Sequence, residues 1–387
     1  YIIDLRSGER EKFARRRSSQ PDHSPDGRFA VFYQDRNWHL FDAESGQVRN
    51  LTAGLDFSFA DEDHDYPSPA PGYGTGGWVE GNRAVLIYDK YDIWKFPTGT
   101  GKATRITGGL GRKRKVTFRV VRTDPDREYW APTETILLTG YHDRTKKWGF
   151  YSTGCEGDGL RILVEGNFRY RFLGKARDAD AIIYTRESYR EFPDIWLSNL
   201  ALEDRRKLTD VNPQKADFAW GEAELVEWNS LDGIPLQGVL IKPGNYEPGR
   251  RYPVLVYFYR FFSQRLNEFN PVVINHRPCF PFYAGNGYAI FLPDIRFEVG
   301  RPGFAATKCL VPGVQKLIDM GIADPHAIGL HGHSWSGYQT AFIITQTDIF
   351  AAAVAGAPVS NMTSAYSGIR WGSGLARQFQ YEMSQSR

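Results

Sequence analysis

The stretch Ile328-Gly329-Leu330-His331-Gly332-His333-Ser334-Trp335-Ser336-Gly337 decides how this chain is read. Ile328 to His331 is a short apolar run flanked by a glycine, the pattern of a buried strand. Tyr338 to Thr345 then reads as a helix. A serine on a tight turn between strand and helix is a nucleophile elbow, which lifts the hydroxyl above the sheet edge at a helix N-terminus. Small neighbours let that helix pack close to the strand. One departure stands out: the usual second glycine is Ser336, with Gly337 one place later.

Outward from the elbow, the second half alternates strands and helices. Glu224 to Trp228 and Leu236 to Lys242 read as a hairpin around Asp232-Gly233. Pro253 to Phe258, Ala289 to Leu292 and Ala351 to Ala355 read as buried strands, and Ala306 to Met320 as a helix. Strand and helix alternating at this spacing predict a parallel sheet with crossover helices.

The first half obeys a different rule, because it repeats. Strand pairs recur at Phe29–Phe32 with Trp38–Phe41, at Ala84–Tyr88 with Asp92–Trp94, and at Ala181–Tyr184 with Asp194–Trp196. These units close on Leu51-Thr52, Ile106-Thr107 and Leu208-Thr209, with a divergent copy around Ile136–Leu138 and Trp148–Phe150. The last two Thr are 102 residues apart, two periods of 51. β units of about 40 to 50 residues, rich in turns and aromatics, predict a propeller, with a β-sandwich array as the alternative. The fold class expected is an N-terminal all-β propeller over residues 1–220 and a C-terminal α/β-hydrolase domain over 221–387, both partial.

Composition narrows the function classes. In 387 residues, 41% hydrophobic and 24% charged, the balance excludes a disordered or fibrous chain. The longest apolar run, Ile349 to Val359, is too short for a membrane helix. A net charge of +3 gives no reason to expect a nucleic-acid partner, and Arg15-Arg16-Arg17 beside Glu9 and Glu11 reads as surface. Cys155, Cys279 and Cys309 form no zinc pattern and no disulfide framework. No cofactor or metal is expected. Asp61-Glu62-Asp63-His64-Asp65 is the one dense acidic run: it could bind a metal or a substrate amine, against the plainer reading of a solvated loop between units.

From Pro253 to Arg387 the chain resembles the catalytic domain of the prolyl oligopeptidase family of serine peptidases, nearest its dipeptidyl-peptidase and acylaminoacyl-peptidase branches. The matching residues are Gly332 to Tyr338, the Asp294-Ile295-Arg296 to Gly303 loop, and Ala355-Gly356-Ala357-Pro358-Val359-Ser360. That family carries an N-terminal propeller, so the resemblance covers essentially the whole chain. It implies that Ser334 is the nucleophile. It implies that the Tyr259 hydroxyl and the Trp335 backbone N–H hold the oxyanion, with a strand-end core tyrosine as the alternative for Tyr259. Arg260-Phe261-Phe262 stands where Gly-Pro-like residues often follow that tyrosine. Asp294 and Arg296 would brace the loops near the elbow without being catalytic.

The triad of this fold runs Ser, Asp, His along the chain. The eight histidines are at 23, 39, 64, 142, 276, 326, 331 and 333, none after Ser334, and the carboxylates after it are Asp348 and Glu382. The chain is therefore expected to stop before the triad Asp and His, and to be inactive as it stands. The resemblance implies a serine peptidase that cleaves short peptides through an acyl-enzyme on Ser334, with Ser334 facing a cavity between the two domains. An esterase of the same fold and a non-catalytic peptide-binding propeller are the alternatives. Periplasm or export is the expected compartment. The sequence leaves the oligomeric state open.

Overall fold

The computed structural model describes residues 2–3, 6–11 and 20–385. The Arg15–Arg17 run lies outside the described residues.

Residues 22–207 form four successive sheets of mainly antiparallel strands, each one a repeat of the sequence. The first runs through Asp22–His23, Phe29–Gln34, Asn37–Asp42 and Val48–Asn50. The second spans Thr75 to Arg105 and takes in Tyr129–Trp130 as a parallel edge strand. The third spans Val116 to Gly166 and holds the divergent copy, and the fourth spans Arg169 to Lys207.

The repeat has a local cause. In three units a threonine 15 residues downstream bonds the side chain that opens the third strand: Thr52 to Asn37 at 2.9 Å, Thr107 to Asp92 at 2.7 Å and Thr209 to Asp194 at 2.7 Å. The same hydroxyl accepts the N–H of the next residue, Trp38, Ile93 or Ile195. The threonine thus closes each of these three units by satisfying a backbone donor at its strand entrance.

Neighbouring sheets share apolar clusters. Val31, Tyr33 and Trp38 of the first meet Trp78, Val85 and Ile87 of the second. Leu86 and Ile93 meet Phe118 and Tyr151, and Phe150 meets Tyr170 and Tyr184. Neighbouring sheets bury apolar faces against each other, so the repeats stack.

From Glu222 the second half builds one six-stranded sheet. Its order is Glu222–Asn229, Pro235–Lys242, Ala289–Pro293, Tyr252–Tyr257, Ala323–His333, Ala352–Gly356. The last four are mutually parallel, as the alternation predicts, while the opening hairpin and its pairing to Ala289–Pro293 are antiparallel. The sheet is therefore mixed, because a tight turn at Asp232-Gly233 can only join antiparallel strands.

Helix Pro302–Asp319 covers one face, with Ala306, Leu310, Val314 and Leu317 against Val254, Val256, Ile328 and Leu330. Helix Phe280–Gly285 covers the other, against Tyr257, Ile290 and Leu292. The long helix starts before the expected Ala306, since Pro302 suits a first turn that lacks N–H acceptors. Likewise the elbow helix is Trp335–Ile343 rather than 338–345.

Candidate functional site

Ser334 links the strand Ala323–His333 to the helix Trp335–Ile343, with φ 61° and ψ −116°. A non-glycine residue at such angles costs about 1–3 kcal/mol and persists only where its surroundings hold it. Here they hold it from two sides. Ser334 N–H donates to the Gly356 carbonyl of the neighbouring strand at 2.8 Å, and the Ser334 carbonyl accepts from Tyr338 N–H at 3.1 Å.

Gly332 and Gly337 make the close approach possible. A Cβ on Gly332 would stand 2.1 Å from the Ser336 carbonyl oxygen, and one on Gly337 would stand 2.6 Å from that of Gly356. Ser336, in place of the usual glycine, is fully buried. Its hydroxyl accepts from His333 N–H and donates to His333 O, both at 2.9 Å. The substitution fits because the hydroxyl satisfies the turn's own backbone groups.

Parallel pairing brings Tyr259 to the same place. Tyr257 lies opposite His331 in register, so two residues further on Tyr259 reaches the level of His333. The Ser334 hydroxyl lies close enough to the Tyr259 phenol to act on it, as do the charges of Tyr66 and Arg370. Burial pushes the phenol pKa up, against the opposing effect of the nearby Ser334. At 40% exposed, Tyr259 is no core residue. Trp335 opens the helix, where the first N–H groups have no intrahelical acceptor.

Ser334 and Trp335 line a cavity of about 760 Å³. Its other walls, among them Asn361, Arg370, Trp371 and Tyr381, belong to the second half, so this cavity does not lie between the domains as expected. The 357–385 segment folds over the elbow because Tyr381 packs on the Trp335 ring, centroids 6.0 Å apart.

The histidines near the elbow engage other rings. His333 lies against His276 at 4.4 Å, and His331 stands edge-on to Tyr257 at 5.5 Å. Desolvation and the nearby His333 hold the His331 pKa below its ordinary value, which favours the neutral ring. No hydrogen bond joins Ser334 to a histidine among the described residues.

The acidic run is more than a solvated loop. No metal-ligating cluster of three or more His, Cys, Asp or Glu exists among the described residues. Instead the run docks onto the second half, because it faces cations from both halves. Asp63 pairs with Lys90 at 2.7 Å and with Arg296 at 2.9 Å. Asp65 pairs with Arg260 and accepts the Phe297 N–H at 3.0 Å, while the Arg260 guanidinium lies 3.9 Å from the Tyr66 ring centre. Arg260 is thus an interface residue, a role that its neighbours in sequence do not announce.

Asp294 braces a loop. Its carboxylate accepts from the Phe262 and Ser263 N–H groups at 2.7 and 2.8 Å and from the Ser263 hydroxyl at 2.6 Å. Burial raises its pKa despite these bonds.

Three comparisons bear on this arrangement. Residues 305–383 match the family model described as the prolyl oligopeptidase family. Dipeptidyl peptidase 8 of Mus musculus is 30% identical over 152 residues, 35% of this chain and 17% of that protein. A candidate dipeptidyl aminopeptidase IV from Bacteroides ovatus ATCC 8483 superposes with a TM-score of 0.62 at 17% identity, over 95% of this chain and 54% of that one. Puromycin hydrolase does so at 0.59 and 15% identity, over 95% of this chain and 56% of that one. The two superpositions show a shared fold. The chain spans about half the length of these structural relatives and less of the curated one. Together the matches support the class of serine-type peptidases. Within that class they support assignment to the prolyl oligopeptidase family.

Proposed function

We propose that this chain carries the nucleophile and the oxyanion-binding side of a serine peptidase acting on short peptides. The supporting observation is the strained Ser334, set beside Tyr259 at the carboxyl end of parallel strands. In this reading Ser334 Oγ attacks the scissile carbonyl carbon, and its proton passes to a general base. The carbonyl oxygen gains the negative charge, held by the Tyr259 hydroxyl and the Trp335 N–H. Collapse expels the amine, which takes that proton back from the base, and leaves an acyl-enzyme, which water hydrolyses. Because no histidine bonds Ser334 among the described residues, the chain alone is proposed to be inactive.

The four stacked sheets are read as consecutive propeller blades, and the sheet from Glu222 as an α/β-hydrolase core. The acidic run ties the blades to the loop after Tyr259, where they would limit access to small substrates. The rival reading is a non-catalytic peptide-binding scaffold, which the absence of a histidine partner favours. A fluorophosphonate label applied to the protein expressed from its complete coding sequence separates the two. Labelling that disappears in Ser334→Ala supports the enzyme, and peptide against ester turnover then separates peptidase from esterase. No labelling of a folded protein overturns the catalytic reading.

A further inference from the structure

Where the second and third sheets face the mixed sheet there is a separate cavity of about 280 Å³, lined by neither Ser334 nor Tyr259. Lys90, Arg119, Arg144, Lys146 and Arg296 line it, against Asp63, Asp143 and Asp294. Its walls carry more positive than negative groups.

The carboxylates are already engaged. Asp63 binds Lys90 and Arg296, and Asp294 accepts three loop donors. Asp143 accepts the Tyr91 hydroxyl at 3.0 Å and lies 3.9 Å from Lys90. Two cations remain. Lys146 is 5% exposed, and its Nζ donates to the Asp143 backbone carbonyl at 2.5 Å. Arg119 donates to the carbonyls of Phe118, Asp89 and Lys90 at 2.7, 3.3 and 3.4 Å and lies 4.6 Å from the Tyr88 ring centre. Neither cation has an ion-pair partner within 4.0 Å among the described residues. Burial lowers the pKa of both, as expected for charges taken out of water. A buried cation with no ion-pair contact is costly, even with Asp143 and Asp294 acting on Lys146 and Asp89 on Arg119 from a distance, and an anion entering between the two would relieve part of that cost.

We propose that this cavity binds a small monocarboxylate between Arg119 and Lys146. A guanidinium fork matches the planar carboxylate. Three wall carboxylates would repel a dianion such as phosphate about twice as strongly as a monoanion. The volume falls just below the range of about 300–1,000 Å³ for drug-sized ligands, so an anion of few atoms fits best. The proposal goes beyond the peptidase reading and holds without it, because it concerns binding alone.

The test is calorimetric titration of the chain with N-acetylglycine and, separately, with its uncharged amide and with inorganic phosphate. The carboxylate is expected to bind at least about tenfold more tightly than the other two. Lys146→Met and Arg119→Gln should each weaken it by about tenfold or more, with the exposed Lys102→Gln as an unaffected control. Circular dichroism checks that each variant folds, and if Arg119→Gln does not, Lys146→Met decides. Equal binding of acid and amide, no binding at all, tighter phosphate binding, or parent-like affinity in the folded variants would each overturn the proposal.

Discussion

Tyr259 and Ser334 stand side by side just past the carboxyl ends of two adjacent parallel strands, Tyr252–Tyr257 and Ala323–His333. The fold thus sets a half-exposed phenol beside a serine on a strained turn. Tyr259→Phe should keep the fold, with stability falling by no more than about 1.5 kcal/mol in urea unfolding. In the protein expressed from its complete coding sequence, kcat for a short peptide should fall by about 10²-fold or more, as for loss of one oxyanion donor. An unchanged kcat would leave Tyr259 a structural neighbour of Ser334.

The elbow tolerates serine at 336 for a reason that can be measured. Ser336→Ala leaves the partly buried His333 N–H and carbonyl without their side-chain partner, at a cost of about 1–3 kcal/mol. Ser336→Gly should cost no more than Ser336→Ala if the small-residue requirement dominates. Gly332→Ala should be worse than either, because its methyl would press on backbone. Chemical denaturation of the three variants ranks them.

The link between the halves rests on Asp65 more than on Asp63. Asp65 and Arg260 are 13% and 20% exposed in their side chains, so Asp65→Ala strands a partly buried guanidinium and the Phe297 N–H. A loss of about 2–3 kcal/mol is expected. Asp63 is 39% exposed and should matter less.

Acid should loosen the same junction. Burial alone would raise the Asp63 pKa, but hydrogen bonds from Lys90 and Arg296 outweigh it and hold the carboxyl below its ordinary 3.8. A depressed folded pKa stabilises the fold above the unfolded value, and this contribution is lost as pH falls through the folded one. Stability should therefore owe nothing to Asp63 titration between pH 7 and 5. Below about pH 4 the parent should lose more stability than Asp63→Asn.

Residues 1–387 alone should show no turnover of proline- or alanine-based chromogenic dipeptides, since a serine hydroxyl needs a base within about 3 Å. Turnover abolished by Ser334→Ala would place a base within this chain, with His276, His331 and His333 the first to replace. The strand Ala352–Gly356 is an exposed sheet edge, with Val354 53% exposed. Such edges recruit other strands, so Val354→Lys should reduce light scattering of the purified chain.

Local chemistry set much of this protein in the sequence itself. The threonine that closes three of the four units acts over 15 residues, so its recurrence was legible as a period, and the divergent third unit was found between two clear ones. The elbow was legible for the same reason: Gly332, Ser334, Ser336 and Gly337 are neighbours whose sizes dictate one turn. Partnerships across the chain were not. Asp61 to Asp65 read as solvated or ligand-binding because nothing nearby reveals Arg260 and Arg296, some 200 residues away, as the charges it meets. Lys146 and Arg119 carry no signal until folding buries them beside one cavity. Sequence fixes what a residue can do with its neighbours in the chain, whereas a buried charge acquires its meaning from the partners that tertiary packing brings or withholds.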